Sequence, residues 1–493
     1  MIKKIFILLV SLFLTACAVG PDYVKPPVVV PQKFKEAPPP PKGWKIAQPR
    51  DEFNHGKWWE IFHDQTLSQL EEQLNHCNQT VATAYANYRQ ALALVDEARA
   101  NFYPTGSVTA SITRQTQGSG SFVSNSSAIP GASSGSASTT SGTISSTSNG
   151  STGPSNSHAL SFAASWEPDI WGTTRRTVEA SVGGAQASNA LFFATRLAAQ
   201  GSLAQIYFQL RTLDMDQKIL DNTVTEYKKS YQLTLNRYHS GVAAYADTIQ
   251  AKTQLEAAQS LAINNHISRG QFEHAIAVLI GRPPADFSIA ACPLRKPPPL
   301  IPVSVPSSLL ERRPDIGQAE RLMMQANAQI GVAISAYYPT LTLFGSATYK
   351  HSGLFNNWFN VPNLGWSIGP QLAETIFDGG LRDATISAAR MAYISSVASY
   401  RQVVLAAFQD VEDNLVSLTT LRKQAIVQNQ AAKDARTALR LVVNQYKAGL
   451  VDYTSVITAQ VTAYNTEKSA ADTMGLEMVS AVGLIKALGG SWC

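Results

Sequence analysis

The stretch "SAYYPTLTLFGSATYK" (Ser335–Lys350) decides how this chain is read. It echoes an earlier stretch, "ANFYPTGSVTASIT" (Ala100–Thr113), in which Pro104 stops a helix and an alternating run follows. Proline removes a backbone donor and clashes with the preceding turn, so a helix ends there. Alternation of apolar with small polar residues is the pattern of a strand with two unlike faces. Two further stretches alternate in the same way. In "HALSFAASWEP" (His158–Pro168), Leu160, Phe162, Ala164 and Trp166 share one face. "NLGWSIGPQLAETIF" (Asn363–Phe377) echoes it in the second half.

Long helices surround these strands. One helix is expected from Gln65 to about Ala100. Another runs from about Trp171 to Tyr238, on the order of 100 Å at about 1.5 Å per residue. Gly241 breaks it, and a further helix extends from about Tyr245 to Gly281. The arrangement then recurs: a long helix to Tyr446, a break at Gly449, and a last helix ending near Gly489. Tyr238 and Tyr446, Gly241 and Gly449, and Gly281 and Gly489 are each related by one offset. The turns read "RYHSGV" (Arg237–Val242) and "QYKAGL" (Gln445–Leu450). Ile206, Leu210, Leu213, Leu220, Val224, Tyr227, Tyr231 and Tyr238 follow three- and four-residue steps, and the offset carries Leu210 to Tyr238 onto Leu418 to Tyr446. A sustained heptad of this kind means helices packed lengthwise.

The N-terminus carries an address. Lys3 and Lys4 precede an apolar run, Ile5 to Leu14, of secretory-signal length. "LTAC" (Leu14–Cys17) is the lipobox pattern, so residues 1–16 are read as a signal peptide and Cys17 as the lipidated residue. Ala18 is not the aspartate that retains lipoproteins at the inner membrane, which favours the outer one. Residues 17–64 are expected to form an extended tether, proline-rich from Val19 to Pro49. Residues 65–313 then form the first repeat and 314–493 the second. Gln115 to Ser157, nearly all Ser, Gly, Thr, Ala and Asn, has too few apolar groups for a core and reads as a loop.

Composition excludes several classes. A net charge of +5 with 15% charged residues gives no dense basic stripe for nucleic acid. No window of about 18 or more apolar residues is present, so no transmembrane helix is expected. The eight histidines include no zinc-protease motif, and His266 and His274 lack metal-ligand spacing. No catalytic residue, metal or cofactor is expected beyond the covalent lipid. Cys77, Cys292 and Cys493 are expected to be free thiols, with a Cys292–Cys493 bridge left open.

Four strands of about ten residues have transmembrane β-strand length. Trp166, Phe344, Tyr349, Trp358, Phe359 and Trp366 lie in or beside them, as an aromatic girdle would. Four strands cannot close a barrel, and open edges in a bilayer leave backbone groups unpaired. Strands that span a membrane therefore require several chains per barrel. Hydrogen bonding is satisfied by two copies or three. A small soluble sheet with half-buried strands is the other reading of the same pattern.

These motifs resemble the TolC-like outer-membrane factors, specifically the efflux lipoproteins serving resistance–nodulation–division (RND) pumps. "CAVGPDYVKP" (Cys17–Pro26), "WWEIFHDQTLSQL" (Trp58–Leu70) and "LLERRPDIGQAERLMMQANAQIGVAISAYYPTLTL" (Leu309–Leu343) carry the resemblance, which covers essentially the entire chain. It implies a mixed α and β fold. A homotrimer pools four strands per protomer into a 12-stranded transmembrane β-barrel, continued by an α-helical coiled-coil periplasmic tunnel. The implied function is a passive exit channel across the outer membrane. The implied partners are a periplasmic adaptor (membrane fusion protein), an inner-membrane RND transporter or similar pump, and outer-membrane lipid.

The resemblance also assigns the turns. Gly241, Val242, Ala243, Gly449, Leu450 and Val451 match the tips where adaptor hairpins dock. Tyr446 falls on a family tyrosine that helps hold the tunnel closed. Asp247 falls on an aspartate of the same closing network, reachable from a tyrosine hydroxyl. One departure stands out. The family places aspartates just past the second turn, whereas this chain has Ser455 and Thr458, with Asp452 nearby but out of register. Hydroxyls in place of a carboxylate ring imply a less cation-selective closed gate. The competing reading is a lipid-anchored periplasmic coiled-coil scaffold without a pore.

Overall fold

The computed structural model gives the duplicated hairpins matching lengths. It describes residues 18–28, 30–31, 34–35, 56–115, 155–294, 296–299, 301, 312–352 and 359–490. After α1 (Gln65–Cys77) and α2 (Gln79–Ala100) come β1 (Thr105–Gln115) and β2 (Ser155–Trp166). The first hairpin is α3 (Thr173–His239, 67 residues) and α4 (Tyr245–Leu279, 35 residues). The second repeat supplies α5 (Pro314–Ser335), β3 (Thr340–Ser352) and β4 (Leu364–Ala373). Its hairpin is α6 (Leu381–Lys447, 67 residues) and α7 (Tyr453–Ala487, 35 residues). Lys3, Lys4, Cys17, Trp358, Cys493 and most of the Ser/Gly-rich stretch lie outside the described residues.

The single helix expected from Gln65 to Ala100 is broken at Asn78, whose ψ of 122° is extended. Its side chain explains the break. Oδ1 accepts from the Val81 amide at 2.9 Å, capping α2, while Nδ2 donates to the Leu279 carbonyl at 2.7 Å, at the end of α4. Asn78 is buried, so both bonds are shielded from water. Asn78→Ala is expected to cost about 2 kcal/mol, one cap plus one hydrogen bond. Thermal denaturation of the purified protein checks this, with Asn78→Asp expected in between because it keeps the cap.

The four strands form one antiparallel sheet in the order β1-β2-β3-β4. The boundaries of the expected loop shift slightly, since Gln115 and Ser155–Ser157 are strand. Contacts divide the chain into two compact units. One comprises residues 99–174 and 335–382 and holds the sheet. The other comprises residues 19–98, 175–334 and 383–493 and holds the hairpins. Each unit thus takes matching pieces of both repeats.

The helical unit has its main core where Leu67, Leu74, Leu203, Tyr207, Leu210 and Ile485 meet. The phrase "WWEIFHD" serves that core. Trp58 and Trp59 are buried in it, and Asp64 caps α1 through the Thr66 and Leu67 amides while accepting the Tyr207 hydroxyl at 2.6 Å. Within the segment read as a tether, Trp58–Phe62 form a 3-10 turn, and the described residues near its start are fastened. Arg176 donates to the Val19 and Gly20 carbonyls and pairs with Asp22 at 2.9 Å, and Asn327 donates to the Pro21 carbonyl. Tyr23 and Val28 pack on the second core cluster, around Met323 and Tyr400.

"RRPD" has a structural use. Arg313 forks onto Asp315 and reaches Asp410 of α6 and the Ala487 carbonyl at the end of α7. Asp315 sits in the first turn of α5, so one guanidinium joins three helix segments. The linker after α4 is held similarly. Buried Asp214 accepts from Arg211, Arg269 and the Cys292 amide, while Glu273 accepts the Ile289 amide. Cys77 and Cys292 are free and exposed.

Candidate functional site

Two parts of the molecule have a chemistry suited to transport. The first is the sheet. Its register places Val108, Ala110 and Ile112 beside Phe162, Leu160 and His158. Phe162 in turn pairs with Ala347, and Leu160 with Tyr349. Trp366, Ile368, Pro370 and Leu372 of β4 pair with Ala347, Gly345, Leu343 and Leu341. Paired residues share a face, so one face is apolar from edge to edge. It is also bare: Trp366 is 73% exposed, Ile368 78% and Leu372 69%.

The opposite face is lined by hydroxyls. Thr105, Ser107, Thr109, Ser111 and Thr113 alternate along β1, and cross-strand pairs continue the pattern. Ser161 and Thr348 lie 3.0 Å apart, and Ser346 and Ser367 2.8 Å apart. Phe344 departs from the aromatic girdle expected of it. It pairs with Ser165 and Gly369 on the hydroxyl face, with its ring over Gly369. Tyr349 and Trp366 do lie on the apolar face, and Phe359 meets Tyr349 edge-on at 5.7 Å. Among the described residues no helix is long and apolar enough to cross a membrane.

The second part is the pair of hairpin tips. Both turns end their helix in the same way. The Gly241 amide donates to the Tyr238 carbonyl and that of Val242 to the Arg237 carbonyl, each at 2.9 Å. The Gly449 amide donates to Tyr446 and that of Leu450 to Gln445, at 3.0 and 2.9 Å. This is the Schellman cap, which needs a left-handed residue just past the helix end. Gly241 and Gly449 supply it with φ of 75° and 77°. The phrase repeats because its tyrosine and glycine are the two ends of one cap bond. Val242 and Leu450 are 65% and 75% exposed, while Val451 packs inward. Ala243 is half-buried.

A tyrosine pair crosses each turn. Tyr446 and Tyr453 lie 5.4 Å apart at 59°, and Tyr238 and Tyr245 lie 5.2 Å apart at 50°. The second pair in sequence is buried with Ala251 and Val456, against Tyr231 and Leu233 of the first hairpin. Burial, then Tyr446, Tyr227 and the Asp247 carboxylate, pushes the Tyr453 hydroxyl up. Asp247 itself is half-buried in the first turn of α4.

Tyr446 is held, but not by Asp247. Its hydroxyl is buried without a hydrogen-bond partner among the described residues. Arg237 holds it instead. The guanidinium lies 4.6 Å from the Tyr446 ring centroid, and Nη1 donates to the Tyr446 carbonyl and to that of Lys447. A cation over an aromatic face and on helix C-terminal carbonyls is doubly favoured. Arg237 opens the phrase "RYHSGV", yet no local motif marks it as a functional residue. The available signal was asymmetry, since the second copy has Gln445 at that place.

Asp452 caps α7. Its carboxylate accepts the Ser455 amide at 3.1 Å and the Ser455 hydroxyl at 2.6 Å, which hold it below the usual carboxylate range. Thr458 donates its hydroxyl to the Thr454 carbonyl at 3.0 Å. Ser455 therefore serves an exposed anion, and Thr458 is turned onto its own helix.

Comparison with known proteins agrees with this architecture. The family model described as "Outer membrane efflux protein" matches residues 70–282 and 305–490. A probable efflux pump outer membrane protein, TtgC of Pseudomonas putida, is 27% identical over 504 aligned residues, covering 100% of this chain and 96% of its own. The cation efflux system protein CusC of Escherichia coli is 26% identical, covering 98% and 97%. The outer-membrane channel OprN superposes with a TM-score of 0.81 at 25% identity, covering 97% of this chain and 100% of its own. The open-state MtrE outer membrane channel of Neisseria gonorrhoeae gives 0.77 at 26%, covering 96% and 98%. With two long hairpins, a two-faced sheet and a family match across most of its length, this chain belongs to the outer membrane efflux protein family.

Proposed function

We propose that three copies of this chain pool their strands into one 12-stranded barrel and their hairpins into a periplasmic tunnel, as the passive exit channel of a tripartite efflux system. The observation that carries this reading is the sheet: an apolar face, a hydroxyl face and two unpaired edges, β1 and β4. In a bilayer each edge needs a partner. Joining β4 of one copy to β1 of the next closes the ring with lipid outside and water within. The apolar band would otherwise face water across a four-stranded sheet. A periplasmic scaffold has no use for such a surface.

Cys17 carries the lipid anchor in this reading, and buried acyl methylenes contribute about 0.8 kcal/mol each. The six tips per trimer close the tunnel and receive a periplasmic adaptor, which links it to an inner-membrane RND transporter or similar pump. No step of catalysis is involved. The relatives are described as toluene, antibiotic and cation efflux proteins. A shared body with such different cargoes supports a reading in which the pump chooses the substrate.

The protein purified from outer membranes is expected to run as a heat-modifiable, SDS-resistant trimer and to conduct in planar bilayers. With hydroxyls at 455 and 458, its cation preference is expected to be modest and to rise in Ser455→Asp. A monomer released completely by removing the lipid, with no conductance, would establish the scaffold reading instead.

A further inference from the structure

Two of the eight histidines stand directly opposite each other in the sheet. His158 of β2 is the register partner of His351 of β3. Side chains opposite each other on antiparallel strands share a face, with Cβ atoms about 4.5–5.5 Å apart. Two imidazole nitrogens bound to one transition-metal ion, each at about 2.0–2.1 Å, lie at most about 4 Å from one another. A directly opposed pair therefore closes on one ion without moving its backbone.

The surroundings suit such an ion. The pair lies at the strand ends that lead into loops, since the opposite ends of β2 and β3 join α3 and α5. Ile112 pairs with His158, and one step along both strands Leu160 pairs with Tyr349 on the same face. Phe359 adds its ring beside Tyr349. His158 is 4% exposed and His351 half-buried. An apolar collar around two nitrogen donors limits the access of competing water. Asn363, at the end of the 3-10 turn Val361–Asn363, places its side-chain amide 3.4 Å from Nδ1 of His351. Turned with its oxygen toward the ring, that amide accepts from Nδ1–H and leaves the lone pair of Nε2 for an ion. A ligating histidine is ordinarily held by such a bond from its other nitrogen.

We propose that His158 and His351 together bind one divalent transition-metal ion of the kind that prefers imidazole, Zn²⁺ or Cu²⁺. Among the described residues no group of three or more His, Cys, Asp and Glu side chains is placed to hold a metal. Water therefore fills the ion's other positions, and the site is a reversible clasp, not a closed four-ligand centre. The clasp falls at the seam of the duplication. β2 belongs to the first repeat and β3 to the second, and in the order β1-β2-β3-β4 they are the strands at which the repeats meet. The ion sits on the apolar face, across the sheet from the hydroxyls, so it belongs to the wall and is not cargo. Lying in different repeats, the two histidines have no spacing in sequence that would announce them.

The pair lies within one chain, so its test is independent of how many chains form the barrel. The full chain is purified in detergent, stripped with a chelator and given one equivalent of Cu²⁺ alone, the ion that imidazole binds most tightly of its row. Electron paramagnetic resonance is expected to show Cu²⁺ coupled to two imidazole nitrogens, and added Zn²⁺ to displace it. His158→Ala and His351→Ala are each expected to lose the two-nitrogen spectrum. Asn363→Ala keeps both histidines, lies outside the strands, and is expected to weaken Cu²⁺ binding about tenfold. A wild-type spectrum with one nitrogen or none overturns the proposal whatever the variants do. A two-nitrogen spectrum that persists in His351→Ala overturns it as well, by assigning the ion to other residues. Unchanged affinity in Asn363→Ala overturns the orienting role given to that amide.

Discussion

Ile368→Arg is expected to remove the protein from the outer membrane as a trimer, whereas Ser367→Arg, one residue away, leaves the trimer in place. Ile368 lies on the apolar face of β4 and is 78% exposed in the single chain. Ser367 lies on the hydroxyl face and contacts Ser346 at 2.8 Å. A charge on the lipid face of a barrel costs about 2–4 kcal/mol near the bilayer midplane and little near its edges. In the proposed barrel three copies would bring three such charges, so the penalty would repeat around the ring. Inside a water-filled lumen the same side chain stays solvated. Ser367→Arg is therefore expected to assemble and to shift ion selectivity toward anions. Membrane fractionation with unheated gels measures the first effect, and reversal potentials measure the second. Equal assembly of the two variants would exclude a bilayer-facing role for the apolar side.

The second large effect is expected at Arg237. Its guanidinium joins the two hairpins of one copy through the Tyr446 ring and two helix-terminal carbonyls. A hydrogen bond from a charged group contributes about 1.5–3 kcal/mol and an exposed cation–π contact about 0.5–1 kcal/mol. Arg237 is only half-buried, so the lower end applies, about 2 kcal/mol. That corresponds to about 30-fold in the closed-to-open balance per clasp, with three clasps in the proposed trimer. Arg237→Ala is expected to raise single-channel conductance and to admit large antibiotics that the closed tip excludes. Arg237→Lys is expected to be intermediate, keeping the charge but losing the fork. Tyr446→Phe is expected to change little, because the hydroxyl it removes makes no hydrogen bond to the described residues. Wild-type conductance and antibiotic exclusion in Arg237→Ala would assign the closed tip to other contacts.

These two predictions differ in how much the sequence foretold. Alternation along "HALSFAASW" already placed Leu160, Phe162, Ala164 and Trp166 on one side, because a strand has a period of two and needs no partner to define its faces. The repeats of Tyr238, Gly241 and Gly281 fixed the hairpin lengths for a similar reason. A helix cap is a local event, set by a glycine and the few residues before it. Nothing near Asn78 in sequence breaks a helix, so the residues alone read as one continuous helix there. Its two partners, the Val81 amide and the Leu279 carbonyl, explain the break only when brought together. Aromatic character alone assigns Phe344 to the girdle; its register, which places it opposite Gly369, puts it on the other face.

The duplication, the four strands, the long helices and the turns that end them are all legible in the residues alone, since each follows from periodicity or from a backbone preference within a few residues. What those elements do to one another depends on how they pack. Arg237 and Tyr446 belong to different repeats, and no local pattern links an arginine to a carbonyl on a separate helix. The same is true of Arg313, whose partners Asp410 and Ala487 lie on two other helices. Packing also made two equivalent tyrosine pairs unequal, one buried and one bare. Sequence alone gives both pairs the same environment, because burial depends on which neighbour arrives and not on the residue that is covered.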